Sequence, residues 1–268
     1  MSRRDEAQRN NRARQIARER AAAKSGQQSP KRLSRLRVQE LADRICAEAK
    51  WIVSNALADR EGPPNGEAVI RAADETRTFA LKVIAKSPYQ GRHECRAGCA
   101  FCCHTAVTIS APEAVAMLDR LRASCSPEDL TGIRGKIEEN ATRAASLSRA
   151  EYAVASVRCA MLSDDGTCRV HESRPLACAG FLSLSRAACE AEFNRTPGRD
   201  EVPIDRFATT VGMSASYGLK AACESAGLDG DYYELHHALR AIWDHLDAAG
   251  SWTRGERLFE GCVRSDAW

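Results

Sequence analysis

Apolar residues recur every three or four positions over two long stretches in the first third of the chain. The first stretch covers residues 33–58, and the second covers residues 67–86. Since an α-helix has 3.6 residues per turn, this spacing places the apolar side chains of each stretch on one face and predicts two amphipathic helices. The run Gly-Pro-Pro-Asn-Gly at residues 62–66 predicts the loop between them.

Helix-start patterns follow at several places further along the chain. Ser110 and Glu113 have the spacing of a capping box, which predicts a helix that begins there. Ser126 begins a second such pattern and Ser148 a third. Between the first helices and these, residues 106–109 predict a short extended run. Further helices are predicted over residues 182–193, 205–226 and 231–248, the last with Asp231 as its cap.

The composition agrees with a mainly helical protein. Of the 268 residues, 44% are hydrophobic and only 6% are aromatic, which is enough for a core that is rich in small residues. We therefore predict a mainly α fold with short irregular and hairpin segments. No apolar stretch is long enough to cross a membrane, and the first thirty residues contain no apolar signal core. A cytoplasmic protein without a membrane partner is expected.

The positive charge of the chain is concentrated at its N-terminal end. The net charge is +3, whereas residues 1–40 alone contain twelve Lys or Arg against four Asp or Glu, a balance of +8. We interpret residues 1–32 as a basic, flexible arm and residues 33–268 as one helical domain. A basic arm can bind nucleic acid or an acidic partner, but this one has no aromatic residue for base stacking. We therefore favour a solvated arm without a partner.

Four cysteines lie within nine residues, in the run Cys-Arg-Ala-Gly-Cys-Ala-Phe-Cys-Cys. Thiolates bind soft or borderline metal ions such as zinc, and they also hold iron–sulfur clusters. On a helix the four side chains would form one stripe within an arc of about 100°. In the alternative, the central Cys-Ala-Phe-Cys stretch folds as a chelating loop. The four residues are Cys95, Cys99, Cys102 and Cys103.

A second set of four cysteines follows further along the chain. Asp165-Gly166 predicts a tight turn, across which Cys159 and Cys168 would face each other in a hairpin. In a reducing compartment we expect clustered cysteines to bind metal in preference to forming disulfides. Eight thiols are enough for two four-sulfur sites or for one shared multinuclear cluster. The second set consists of Cys159, Cys168, Cys178 and Cys189.

Zinc or iron is the expected metal, and an iron–sulfur cluster is one of the forms that iron would take. Ligation by sulfur alone excludes magnesium and calcium, which prefer oxygen ligands. Metal-bound thiolates carry negative charge that nearby cations must balance. Four arginines stand beside the cysteines in the sequence and are candidates for this role: Arg96, Arg158, Arg169 and Arg174.

Histidines near the cysteines are alternative ligands, because a neutral imidazole can replace one sulfur in a zinc site. His104 is the strongest of these candidates, since it directly follows Cys103. His93 and His171 are weaker, and each is more often a hydrogen-bonding surface residue in such a place. We interpret the remaining candidates as structural residues of helices or of the tail: His236, His237, Cys46, Cys125, Cys223 and Cys262.

Taken together, the two cysteine sets resemble a known family. The first run, then Cys159, then Gly-Thr-Cys-Arg-Val-His-Glu-Ser-Arg-Pro-Leu-Ala-Cys ending at Cys178, is similar to the YkgJ-type cysteine-cluster family, which is named for a CxxCxxCC signature. The resemblance covers about residues 93–190. It implies a domain that chelates zinc or iron through these cysteines.

Three classes of function are compatible with these patterns. The first is a metal-binding protein whose metal is structural or is being handled. The second is an enzyme of redox or methyl-transfer type that depends on a metal or an iron–sulfur cluster, although the sequence contains no phosphate-binding glycine loop, no HExxH and no convincing nucleophile–base pair. The third is a metal- or redox-responsive regulator with a nucleic-acid-binding arm. We favour the first.

Overall fold

The computed structural model describes residues 35–58, 65–195, 198 and 201–262, and the predicted arm lies outside them. The prediction of a mainly α fold is confirmed. Over the described residues the chain forms ten α-helices: α1 (Arg35–Ala58), α2 (Gly66–Ile84), α3 (Ala111–Ser124), α4 (Pro127–Ala145), α5 (Arg149–Val154), α6 (Leu176–Gly180), α7 (Arg186–Phe193), α8 (Arg206–Ser225), α9 (Leu235–Ile242) and α10 (Ala248–Thr253).

A two-stranded antiparallel sheet and two 3₁₀ turns complete the described secondary structure. Strand β1 (Thr108–Ser110) pairs with β2 (Tyr232–Glu234), with Ile109 opposite Tyr233. The 3₁₀ turns cover Phe101–His104 and His171–Ser173. None of the described helices is long and apolar enough to cross a membrane.

The largest apolar core lies where α2, α3, α4, α9 and α10 meet the small sheet. Ile109 and Leu121 are completely buried in it, and Trp252 is almost so. A second, smaller core joins α1, α2, α6 and α8 through residues such as Ile45 and Val211. The long helices therefore form a packed frame that supports the remaining segments, in which both cysteine sets lie.

Helix α8 packs very closely against α1. A Cβ atom added at Gly218 would collide with the Cys46 carbonyl oxygen and would lie 2.6 Å from the Ala49 methyl group. Only glycine therefore permits this crossing of the two helices. The close contact matters for the cysteine-bearing region because α8 also packs against α6, which contains Cys178.

Replacement of Gly218 by alanine is expected to destabilise the fold by about 1–3 kcal/mol, because the helices must separate to make room for the methyl group. The matched control is Gly132→Ala on α4, where the added Cβ meets no atom within 4 Å. That change should stabilise the helix by up to about 1 kcal/mol. Urea unfolding of both variants measures the difference, and equal midpoints would contradict the packing argument.

Two of the predicted helices begin later than expected. The region predicted as a helix over residues 231–248 starts with strand β2, and α9 begins only at Leu235. Its N-cap is Glu234, whose side chain accepts a hydrogen bond from the His237 amide, so the prediction of Asp231 as the cap is wrong. Helix α7 begins at Arg186 because Ser183 forms an antiparallel bridge with Ile204.

Candidate metal centre

The first cysteine segment, residues 93–105, is a loop that ends in a 3₁₀ turn. Gly98 has φ of +78°, a left-handed conformation that a continuous α-helix does not contain. Cys102 and Cys103 lie on the 3₁₀ turn Phe101–His104, whereas Cys95 and Cys99 precede it in irregular backbone. The interpretation as a helical sulfur stripe is therefore wrong, and the loop alternative describes the segment.

This segment contributes no fully buried residue to the apolar cores, although Cys103 packs against the largest one. None of residues 88–108, all of which the structure describes, is buried. The segment is held by hydrogen bonds, such as the one from the Glu94 amide to the Ser183 carbonyl at 3.0 Å. A long stretch with few buried contacts has low local stability in the absence of another restraint. Four of the eight predicted ligands therefore lie in a region that its own packing does not fix.

The second cysteine segment, residues 159–189, approaches the first segment at two places. The Cys159 amide donates to the Cys103 carbonyl oxygen at 2.8 Å. At the other place the Ser183 amide donates to the Cys95 sulfur at 3.1 Å. The two segments that the sequence separates are therefore neighbours in the folded chain.

The turn predicted between Cys159 and Cys168 is present. Gly166 occupies it with φ of +81°, and the flanking residues form an antiparallel bridge. The residue that pairs with Cys168 is Leu162, so Cys159 lies further from the turn than the simple hairpin prediction placed it.

Helix α7 places Cys189 beside the first segment. The Phe193 ring packs against Phe101, with ring centroids 5.7 Å apart, and edge-on against His104 at 4.8 Å. The Arg186 amide at the start of α7 donates to a Glu94 carboxylate oxygen at 2.6 Å. The helix is thus attached to the first segment at both ends.

The thiols of both segments are close enough to influence one another's ionisation. Burial is the largest cause of a raised pKa at five cysteines, and at each of the five the charge of Cys102 raises the pKa further. Cys102 shares a hydrogen bond with Cys103 that raises its own pKa. The charge of Cys99 also raises the pKa of two of the five, Cys95 and Cys189. The five are Cys95, Cys159, Cys168, Cys178 and Cys189.

All eight predicted ligands therefore lie in one region, and all twelve cysteines of the chain are free thiols. Among the residues that the structure describes, no three Cys, His, Asp or Glu side chains are arranged to hold a metal ion. The thiols are thus gathered without a formed coordination sphere. Their assignment as ligands stays a prediction.

Arg174 is the arginine whose charge acts on the thiol region. Burial raises the pKa of Cys95, Cys168 and Cys178, and the positive charge of Arg174 opposes that rise. It also opposes the rise at Cys102, which the hydrogen bond to Cys103 mainly causes. Within the described part of the chain, Arg174 forms no ion pair with a carboxylate. Its charge is therefore available to balance thiolates.

Two of the other arginines next to the cysteines, Arg158 and Arg169, have carboxylate partners of their own. Arg169 forms an ion pair with Asp129 at 3.0 Å. Arg158 donates to the Ser163 carbonyl oxygen at 2.7 Å and pairs with Asp164. These contacts attach the hairpin to itself and to α4.

The three candidate histidines each have a polar contact at one ring nitrogen. His93 Nε2 lies 2.8 Å from the buried Asp205 carboxylate, and His104 Nδ1 lies 3.0 Å from the Ala100 carbonyl oxygen. His171 is exposed beside Glu172. His93 is thereby engaged as an anchor for the start of the first segment.

A buried histidine that the sequence analysis interpreted as a helix residue proves to be close to the thiols. His236 is only 3% exposed, and its Nε2 atom lies 3.3 Å from the Ala160 amide, next to Cys159. Its Nδ1 atom lies 2.7 Å from the Glu234 carboxylate. The sequence feature that could have indicated this role is the pair of polar residues Glu234 and His236, two positions apart at the start of an apolar helix.

Three buried carboxylates anchor the backbone near the cysteines. Asp205 bonds His93, two residues before Cys95. Glu113 accepts from the Leu176 amide at 2.7 Å, two residues before Cys178. Glu234 reaches the backbone beside Cys159 through His236. Each belongs to the start of a helix in the surrounding frame, so the frame holds the cysteine segments at three places.

The region that contains all eight cysteines is also the region that matches a family model. Residues 94–196 match the family model described as "CxxCxxCC: Putative zinc- or iron-chelating domain". This match confirms the resemblance expected from the motifs, and it supports metal binding by this part of the chain. Neither a curated protein nor a solved structure matches the sequence.

Proposed function

We propose that the chain binds zinc through thiolates of the two cysteine segments, and that the metal fixes these segments to the helical frame. The observation that carries this proposal is the first segment itself. It holds four of the eight neighbouring thiols, yet none of residues 88–108 is buried. A structural zinc site supplies folding free energy to a region that lacks an apolar core.

The donor set fits a closed zinc site. Sulfur ligands suit zinc and iron, and structural zinc sites hold four protein ligands without an open position. Thiols must lose their protons to bind, so metal binding releases protons and couples to folding. Among the described residues no three such side chains already surround one point, so binding would require the thiol side chains to reorient toward the ion.

Arg174 supports the same proposal through charge. Eight thiolates around two zinc ions would have a formal charge of about −4, which a partly buried region tolerates only with cations nearby. Arg174 already acts on four of the thiols, Cys95, Cys102, Cys168 and Cys178. Its guanidinium would reduce the repulsion among the bound thiolates.

Replacement of Arg174 by glutamine is expected to weaken zinc binding by about 10–100-fold, the range typical of residues that support metal ligands. Arg169→Gln is the matched control, because it also stands beside a cysteine but is paired with Asp129. Competition with a chromophoric chelator measures the affinity. An affinity of Arg174→Gln equal to that of the control would refute the charge-balancing role.

Alkylation of the thiols with and without zinc tests the proposal directly. Zinc is expected to protect the clustered cysteines, most clearly Cys95 and Cys102, which are exposed in the structure. Cys46 and Cys125, outside the region, should react equally in both states. Mass spectrometry of the modified peptides identifies each thiol. Equal labelling of Cys95 and Cys102 with and without zinc would exclude these segments as the binding site.

A further inference from the structure

The backbone on both sides of Cys159 is held by buried polar side chains. On one side, the Asn140 amide group donates to the Arg158 carbonyl oxygen at 2.8 Å. On the other side, the Ala160 amide lies 3.3 Å from His236 Nε2. The Cys159 amide itself donates to the Cys103 carbonyl oxygen. Three backbone polar groups, which belong to the two peptide groups that flank this predicted ligand, therefore have fixed partners.

The direction of the hydrogen bonds at His236 follows from its neighbours. The Glu234 carboxylate oxygen, 2.7 Å from Nδ1, only accepts, so Nδ1 bears the proton. The Nε2 atom is then left with its lone pair, which accepts from the Ala160 amide and from Asn140 at 3.2 Å. Tyr152 adds a hydroxyl hydrogen bond to the same Glu234 oxygen at 3.3 Å. The Glu234 carboxylate thus favours the imidazole tautomer with its proton on Nδ1, and in this tautomer Nε2 can accept the hydrogen bond from the Ala160 amide.

We propose that the Glu234–His236 pair is a positioning device for Cys159 in the metal centre. This inference rests on the proposed zinc-binding function. It extends the centre beyond residues 94–196, because Glu234 belongs to β2 and His236 belongs to α9. In this proposal His236 is not itself a ligand. It positions the ligand Cys159 by holding the amide of the next residue, Ala160. Burial of such a polar network is costly unless every member is bonded, and here the bonds point to the flanks of Cys159.

Loss of the His236 ring is expected to leave the Ala160 amide without its acceptor, so that Cys159 is no longer held in place. His236→Ala should weaken zinc binding by about 10–100-fold, as other losses of ligand-supporting residues do. His236→Gln keeps an acceptor near the position of Nε2 and should recover most of the affinity. The matched control is His237→Ala, since His237 is equally buried on the same helix and its ring contacts Arg240 instead.

The experiment compares the three variants with the wild-type chain by zinc competition and by the alkylation rate of Cys159 in the metal-free protein. The expected result is weaker binding and severalfold faster Cys159 alkylation in His236→Ala than in His237→Ala, with recovery in His236→Gln. Equal affinity and equal alkylation in the two alanine variants would overturn the inference.

Two further outcomes, absence of zinc binding by the wild-type protein and failure of His236→Ala to fold, can be distinguished from failure of the inference. If the wild-type protein binds no zinc, the proposed function fails, whereas the alkylation rates still decide whether His236 positions Cys159. If His236→Ala does not fold, Asn140→Ala replaces it, because this change releases the Arg158 carbonyl oxygen on the other side of Cys159. Affinity and alkylation equal to those of His237→Ala would then overturn the inference.

Discussion

Removal of zinc by a chelator is expected to make residues 88–108 accessible to trypsin while the helical frame stays folded. The segment has no buried residue, so without metal only hydrogen bonds and partly exposed contacts, such as the packing of Phe101 on Phe193, restrain it. Arg92 and Arg96 are the cleavage sites within it, and Arg96 is exposed between two predicted ligands. Peptide mapping after brief digestion measures the effect, with exposed Arg134 on helix α4 as the internal reference.

The same treatment should lower the free energy of unfolding by several kcal/mol. A ligand that binds only the native state contributes about 4 kcal/mol when its free concentration is 1,000 times its dissociation constant. Urea unfolding with zinc and with chelator gives this difference. Identical digestion patterns and identical unfolding midpoints in the two conditions would contradict a structural role for the metal.

Single replacement of Cys99 or Cys168 by serine is expected to lower both the metal content and the stability of the protein. Zinc-binding free energies of about 10–16 kcal/mol for four ligands correspond to about 3 kcal/mol per thiolate, or roughly 100-fold in affinity. Cys46→Ser on helix α1 is the matched control, since Cys46 lies outside the thiol region. Full metal occupancy and unchanged melting in both variants would refute the ligand assignment.

The double variant shows whether the two segments serve one centre. If Cys99 and Cys168 support the same metal centre, the second replacement should cost much less than the first, because the centre is already disrupted. Independent sites would give additive losses. Zinc affinities of the two single variants and the double variant form the cycle that distinguishes these results.

Local patterns were sufficient for most of the helical frame. The capping boxes at Ser110 and Ser148 are present with both of their hydrogen bonds, because such caps depend on residues only three positions apart. Strand β2 could not be found in this way. Tyr232–Glu234 is extended because it pairs with Thr108–Ser110, and that partner is remote in the sequence.

In the candidate centre, too, local patterns predicted some features, whereas others depend on residues that are remote in the sequence. Residue type and spacing identified the eight cysteines that the structure gathers. The conformation of the first segment depends on one backbone position, Gly98, whose positive φ a helical stripe of cysteines cannot contain. The link from His236 to Ala160 joins residues 76 positions apart, so no local pattern could reveal it. Arg174 was one of four candidates, and only the fold shows that its charge lowers the pKa of four of the thiols.

The most direct test of the account is the metal content and visible absorption of protein purified anaerobically without added metal. We expect a colourless protein that contains about one or two zinc ions per chain, since eight thiols can form up to two four-sulfur sites. A brown protein with iron and sulfide would contradict the choice of zinc and indicate an iron–sulfur cluster. A protein without either metal, which also fails to take up added zinc, would contradict the account as a whole.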